Sequence, residues 1–143
     1  LNALKLIEIL NSIRDSGLIL VSVLGLLAIF LITNTIKMSI HSRMSEIQIM
    51  RTIGATNGFI RSPFLIEGIL IGILGSILPI IITIFGYQYI YQSLNGVLLS
   101  SIFILRPVFP FVIELSYLIA LLGISVGLLG SFISVSRYLR TVR

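Results

Sequence analysis

Residues 42–68 read SRMSEIQIMRTIGATNGFIRSPFLIEG, a passage carrying Arg43, Glu46, Arg51, Arg61 and Glu67 in a chain that is otherwise mostly apolar. On either side lie runs without any charge, Ser16–Ile36 and Gly68–Leu105. A charged side chain at the centre of a bilayer costs about 2.5–3.5 kcal/mol. The charged passage must therefore leave any membrane that its neighbours occupy. Reading the runs around it decides the fold.

The composition favours lipid as the solvent of those runs. Of 143 residues, 57% are hydrophobic and 10% charged, with a mean hydropathy of +1.14. A soluble domain carries about 25% charged residues, and a soluble core of this length could not hide so much Ile and Leu. Cysteine is absent, which rules out disulfides, thiolate catalysis and cysteine-based metal sites. The single histidine, His41, cannot form a zinc site alone. The net charge is +5, but the basic residues flank apolar runs and are not interleaved with aromatics. That pattern suits a membrane surface and argues against nucleic acid. The chain begins at Leu1 with no signal-peptide pattern, so the reading expects the C-terminal part of a longer protein.

Three transmembrane helices are expected, in an all-α integral membrane protein. The first is 16–36, since about 20 helical residues cover the roughly 30 Å hydrocarbon core. The uncharged run after Glu67 is too long for one helix and is divided by GYQYIYQSLNG at 86–96, where Asn95-Gly96 suggests a turn. The second span is placed at 64–86, with Tyr87, Tyr89 and Tyr91 at the membrane interface. The third, 111–135, follows Pro110. Lys37, Arg43, Arg51 and Arg61 fall in the 37–63 loop and Arg137, Arg140 and Arg143 in the 136–143 tail, against Lys5, Arg14 and Arg106 on the other side. That asymmetry puts 37–63 and 136–143 in the cytoplasm and 87–110 outside. Residues 1–15 are expected as a short extracytoplasmic amphipathic helix, with Leu4, Ile7 and Leu10 on one side. If the full chain starts in the cytoplasm, a further span precedes these.

Within the charged passage, Ile36, Ile40, Met44, Ile47 and Met50 form one helical stripe. Glu46 is within reach of Arg43 three residues earlier, while His41, Ser45, Gln48 and Thr52 face away. Gly54 suits a helix stop, Asn57-Gly58 a turn and Pro63 the first turn of the next span. The helix could rest on lipid or fill a groove on a protein. In the spans, Gly68, Gly72 and Ser76 form a small-residue series joined by Gly75, and Gly123, Gly127 and Ser131 form another. Such series let helix backbones approach closely. Pro79 should loosen the second span. Glu67 and Glu114 are read as carboxylates favoured by the dipole in the first turns of their helices. No catalytic couple, HExxH or P-loop pattern is present, so no enzyme is expected.

Residues 30–72, above all NTIK at 34–37, GATN at 54–57, FIR at 59–61 and PFLIEG at 63–68, resemble the FtsX branch of the FtsX-like permease family. The wider family includes MacB and the lipoprotein-releasing permeases, and a permease of that kind is the alternative reading. A stand-alone channel or carrier is another, though it would need a polar midplane that these spans lack. The resemblance implies a membrane subunit of a type VII ABC-transporter-like complex in the bacterial plasma membrane at the division septum, holding spans two to four of four. It implies three partners: the ATPase FtsE, which binds the ATP, a second copy of the subunit, and a peptidoglycan hydrolase or its activator outside. The passage at 37–63 would be the coupling helix docking on that ATPase. Its contact residues would be Ile40, Arg43, Met44, Glu46, Ile47, Met50, Arg51, Gly54 and Ala55.

Overall fold

The computed structural model describes residues 2–95, 97–98, 103–104 and 107–141, with side chains in 2–95 and 107–141. Four helices carry nearly all of it: α1 (Asn2–Ser42), α2 (Met44–Thr52), α3 (Asn57–Ser93) and α4 (Val108–Arg140). Between α3 and α4, β1 (Val97–Leu98) and β2 (Phe103–Ile104) pair antiparallel, Val97 opposite Ile104 and Leu98 opposite Phe103. Helices α1, α3 and α4 are each long and apolar enough to cross a membrane. The molecule is all-α with three span-capable helices.

The helices are longer than the spans read from the sequence. Helix α1 has 41 residues, α3 37 and α4 33. At 1.5 Å per residue they measure about 60, 55 and 50 Å, so each projects well beyond a 30 Å hydrocarbon core. The expected separate helix at 1–15 is instead the start of α1. No proline or capping break stands at Asp15–Gly17, and extending an existing helix by one residue is far easier than nucleating a new one. Residues 2–24 are exposed on every side, so no apolar face of that segment is buried.

The charged passage holds more helix than expected. Arg43 alone interrupts α1 and α2, at φ −105° and ψ 21°, and bonds from Arg43 N to Ser39 O and from Ile47 N to Arg43 O bridge it. Helix α3 starts at Asn57, not after Pro63. Thr56 caps it in extended conformation, its hydroxyl accepting from Phe59 N at 3.4 Å. Asn57-Gly58 therefore lies in the first helical turn, and Pro63 and Pro79 lie within the helix. At the other end α3 continues through the tyrosines to Ser93, and Asn95 stops it in the left-handed region at φ 48°. Tyr87 packs on Phe111 at 5.0 Å between ring centroids and joins the far ends of α3 and α4. The basic tail is helical as far as Arg140: Arg137 and Arg140 occupy the last turn of α4, where cations favour the dipole.

The core lies at one end. Ile36 and Ile40 of α1, Ile47 of α2, Ile60 and Phe64 of α3, and Val135 and Leu139 of α4 form one buried cluster. Helix α2 is thus an elbow folded onto the ends of all three long helices.

Helix α2 ends in a Schellman arrangement. Gly54 N donates to Arg51 O at 3.1 Å and Ala55 N to Met50 O at 2.9 Å, while Gly54 takes φ +84°. A side chain there would strain the left-handed backbone by about 1–2 kcal/mol. Gly54→Val is expected to lower stability by at least that much in thermal unfolding of the detergent-solubilised protein. Gly54→Asn should cost less, because Asn tolerates the left-handed region.

Candidate functional site

The apolar stripe of the charged passage is used within the chain. Ile36, Ile40 and Ile47 are buried, and Met44 and Met50 are half-buried against the same cluster. Ile40 and Ile47, each 2% exposed, therefore pack against the ends of the long helices. Ala55 also packs on the cluster, beneath the Schellman turn set by Gly54. Arg51 is half-buried and its Nη2 donates to Leu139 O at 3.0 Å, tying the elbow to the last turn of α4.

What α2 turns outward is the opposite face. Ser45, Gln48, Ile49, Thr52 and Ile53 are exposed, at the 3- and 4-residue spacing of one helix side. Ile49 is 63% and Ile53 77% exposed. Arg43 and Glu46 are exposed at the edge, and among the described residues they form no ion pair with each other, contrary to the sequence reading. They instead line a recess of about 100 Å³ with Met50 and Pro63.

Both small-residue series meet, α3 against α4. A Cβ added to Gly68 would collide with Ser131 and the Gly127 carbonyl, and one on Gly72 with the Gly123 carbonyl. One on Gly123 would lie 2.7 Å from Gly72 O and 3.1 Å from Ser76 Cβ. One on Gly127 would strike the Gly68 carbonyl. The two backbones are in contact, which only glycine permits at these points. Gly75 is not part of this seam and has open space around it. The contact follows the ridge Gly68, Gly72, Ser76, and Gly75 sits about 100° around the helix from Ser76.

Sequence reasoning missed the second seam, where α1 meets α4. A Cβ on Gly130 would lie 2.7 Å from Ile32 Cγ2. Thr33 Oγ1 donates to Gly130 O at 3.2 Å, and buried Ser134 donates back to Thr33 O at 3.0 Å. The signal was Gly130 and Ser134 at four-residue spacing beside Gly127 and Ser131. Glu67 also differs from its reading. It is the eleventh residue of α3, beyond the first turn, and accepts a hydrogen bond from Ser39 Oγ at 2.8 Å. That charge-assisted bond ties α1 to α3. Glu114 is the seventh residue of α4, beyond the first turn.

Comparison with known proteins follows this architecture. The family model described as FtsX-like permease C-terminal matches residues 18–142. The chain is 43% identical over 136 residues to the cell division protein FtsX of Bacillus anthracis, covering 95% of this chain and 46% of that protein. It is 39% identical over 136 residues to the cell division protein FtsX of Bacillus subtilis, with the same coverage. To that of Streptococcus pneumoniae serotype 2 it is 42% identical over 142 residues, 97% of this chain and 45% of that protein. The chain thus spans a little under half the length of these relatives. No solved structure matches it.

The glycine seam predicts a contrast between neighbouring glycines of the same helix pair. Gly127→Leu should force the α3 and α4 backbones apart and cost about 1–3 kcal/mol or more in thermal unfolding of the detergent-solubilised protein. Gly75→Leu, where an added Cβ meets open space, should stay within about 0.5 kcal/mol of the parent. Equal losses at the two positions would overturn the seam.

Proposed function

The chain belongs to the FtsX-like permease family, and from that membership we propose that it is the membrane-embedded part of an FtsX-type cell-division subunit. In this reading α2 lies in the cytoplasm and receives a nucleotide-driven ATPase, FtsE, which binds and hydrolyses the ATP. The subunit works as a second copy's partner in the plasma membrane at the septum. It passes motion to an extracytoplasmic part that activates peptidoglycan hydrolysis.

The observation that supports this reading best is the way the elbow is fixed. Ile47 is buried among residues of α1, α3 and α4, so a displacement of α2 loads all three helices together. Close-packed interiors have low compressibility and transmit strain. The basic residues Lys37, Arg43, Arg51, Arg61, Arg137 and Arg140 all sit at the elbow end, which supports a cytoplasmic location for it. The inward residues Ile40, Met44, Ile47, Met50, Arg51 and Ala55 then act as the clamp. The outward residues Ile49 and Ile53, with Arg43 and Glu46 at the rim, form the docking face.

Clamp and docking face respond differently to substitution. In the full-length protein, Ile49→Glu with Ile53→Glu should reduce capture of the ATPase in detergent at least tenfold and leave thermal unfolding close to that of the parent. A carboxylate facing an apolar pocket must be desolvated or the contact must open. Ile47→Ala should do the reverse, costing about 2–5 kcal/mol of stability from the cavity while the outward face stays intact. Full capture by the Ile49→Glu, Ile53→Glu variant would overturn the docking face.

A further inference from the structure

The elbow end carries a second feature, independent of any ATPase contact. The antiparallel seam that sets Gly68 beside Gly127 and Ser131 also brings Arg61, two turns before Gly68, to the level of Arg137 and Arg140. Arg61, Arg137 and Arg140 line one recess of about 560 Å³ together with Ser136, Phe132 and Ile133. Arg61 and Arg140 line an adjoining recess of about 350 Å³ with Arg51, Asn57, Ala55 and Leu139. Three helices thus contribute four guanidinium groups to two contiguous hollows, and among the described residues no carboxylate lines either one. Glu67 is engaged by Ser39, and Glu46 lines a different recess. The Nε of half-buried Arg61 is shielded from solvent and has no hydrogen-bond acceptor among the described residues. A buried donor left without an acceptor is costly, because it has given up water with no bond in exchange.

We propose that this arginine recess binds the phosphate group of an anionic phospholipid. Guanidinium groups match phosphate oxygens in a planar fork, and a phosphate at Arg61 would accept from its orphaned Nε. The chemistry alone would also suit a free phosphate. What favours the lipid is the wall of the larger recess, where Phe132 and Ile133 are exposed on α4, a helix apolar and long enough to cross a membrane. A lipid presents a phosphate joined to acyl chains, which fits arginines joined to an apolar wall. Basic pockets between transmembrane helices are known binders of anionic headgroups.

The general attraction of a basic surface to anionic lipid is the competing explanation, and paired variants separate the two. The full-length protein is placed in nanodiscs of phosphatidylcholine with increasing phosphatidylglycerol, and retained lipid is counted by native mass spectrometry. Arg61→Gln with Arg140→Gln should reduce the preference for phosphatidylglycerol at least about tenfold, because forked guanidinium–phosphate contacts are lost together with the charge. Lys37→Gln with Arg43→Gln removes the same charge from the same end, outside the recess, and should change the preference less than threefold. Equal losses in both pairs would overturn the site in favour of a diffuse field. Arg61→Lys with Arg140→Lys keeps the charge but not the fork and should still lose several-fold selectivity, which covers the case of a glutamine variant that fails to fold. Millimolar inorganic phosphate added to the parent should leave bound phosphatidylglycerol in place. Its displacement would assign the recess to a free phosphate, and loss of ATPase capture with unchanged lipid preference would assign it to a protein contact.

Discussion

The rest of the structure depends on the direct contact between the backbones of α3 and α4. Without side chains at Gly68, Gly72, Gly123 and Gly127, each helix presses carbonyl groups onto the other's α-carbons. In lipid there is little hydrophobic force between helices, since the tails are as apolar as leucine, and close van der Waals contact must supply the association. The same contact fixes the register. With Gly68 beside Ser131, Phe64 and Ile60 arrive next to Val135 and Leu139, and these four form the floor on which Ile47 closes. A seam between two helices thus determines where a third element, outside the spans, can fold.

Around that seam the polar groups are few and local. Thr33, Ser134 and Ser39 each spend a hydroxyl on another helix, whereas Ser22, Thr35, Ser116 and Ser125 return theirs to a carbonyl of their own helix. The interhelical bonds all lie in the half of α1 nearer the elbow. Consequently α1 is held at one end and free of neighbours over residues 2–24 among the described residues. Held so, it is a rod about 60 Å long whose angle is set by its last four turns.

Much of this was legible in the sequence, for identifiable reasons. Span number and order followed from uncharged length, and the glycine and serine series were visible at four-residue spacing, because a membrane imposes both patterns on the chain directly. The helix stop at Gly54 was legible because only a left-handed residue closes a Schellman turn. The destination of the Ile40–Met44–Ile47–Met50 stripe was not. Periodicity reports that one face is apolar, but it carries no information on what covers that face, and here the ends of α1, α3 and α4 do. The helix ends were misplaced for a related reason. Pro63 and Asn57-Gly58 carry strong local stop signals, yet Thr56 caps the helix before them, and Gly58 and Pro63 are tolerated because the packing of Ile60 and Phe64 holds that turn in place. Arg61 and Arg140 lie far apart in the chain, so their shared recess exists only once the seam has set the register.

The inward direction of the stripe alters the mechanical argument, and it strengthens it. A helix whose apolar face was reserved for a partner would hang on its own chain only by its two ends, and a push on it would be absorbed by rotation at Arg43 and Gly54. With Ile47 seated among Ile36, Ile40, Ile60, Phe64, Val135 and Leu139, that rotation would open a cavity in a close-packed cluster, at a cost of several kcal/mol. The hydrogen bond from Arg51 to Leu139 O and the bridging bonds across Arg43 oppose it further. Under the proposed coupling, force arriving at Ile49 and Ile53 therefore meets a stiff joint. The softer coordinate is the angle of α1, clamped at the elbow and exposed over residues 2–24 among the described residues. Motion delivered to α2 should accordingly emerge as displacement at the far end of α1.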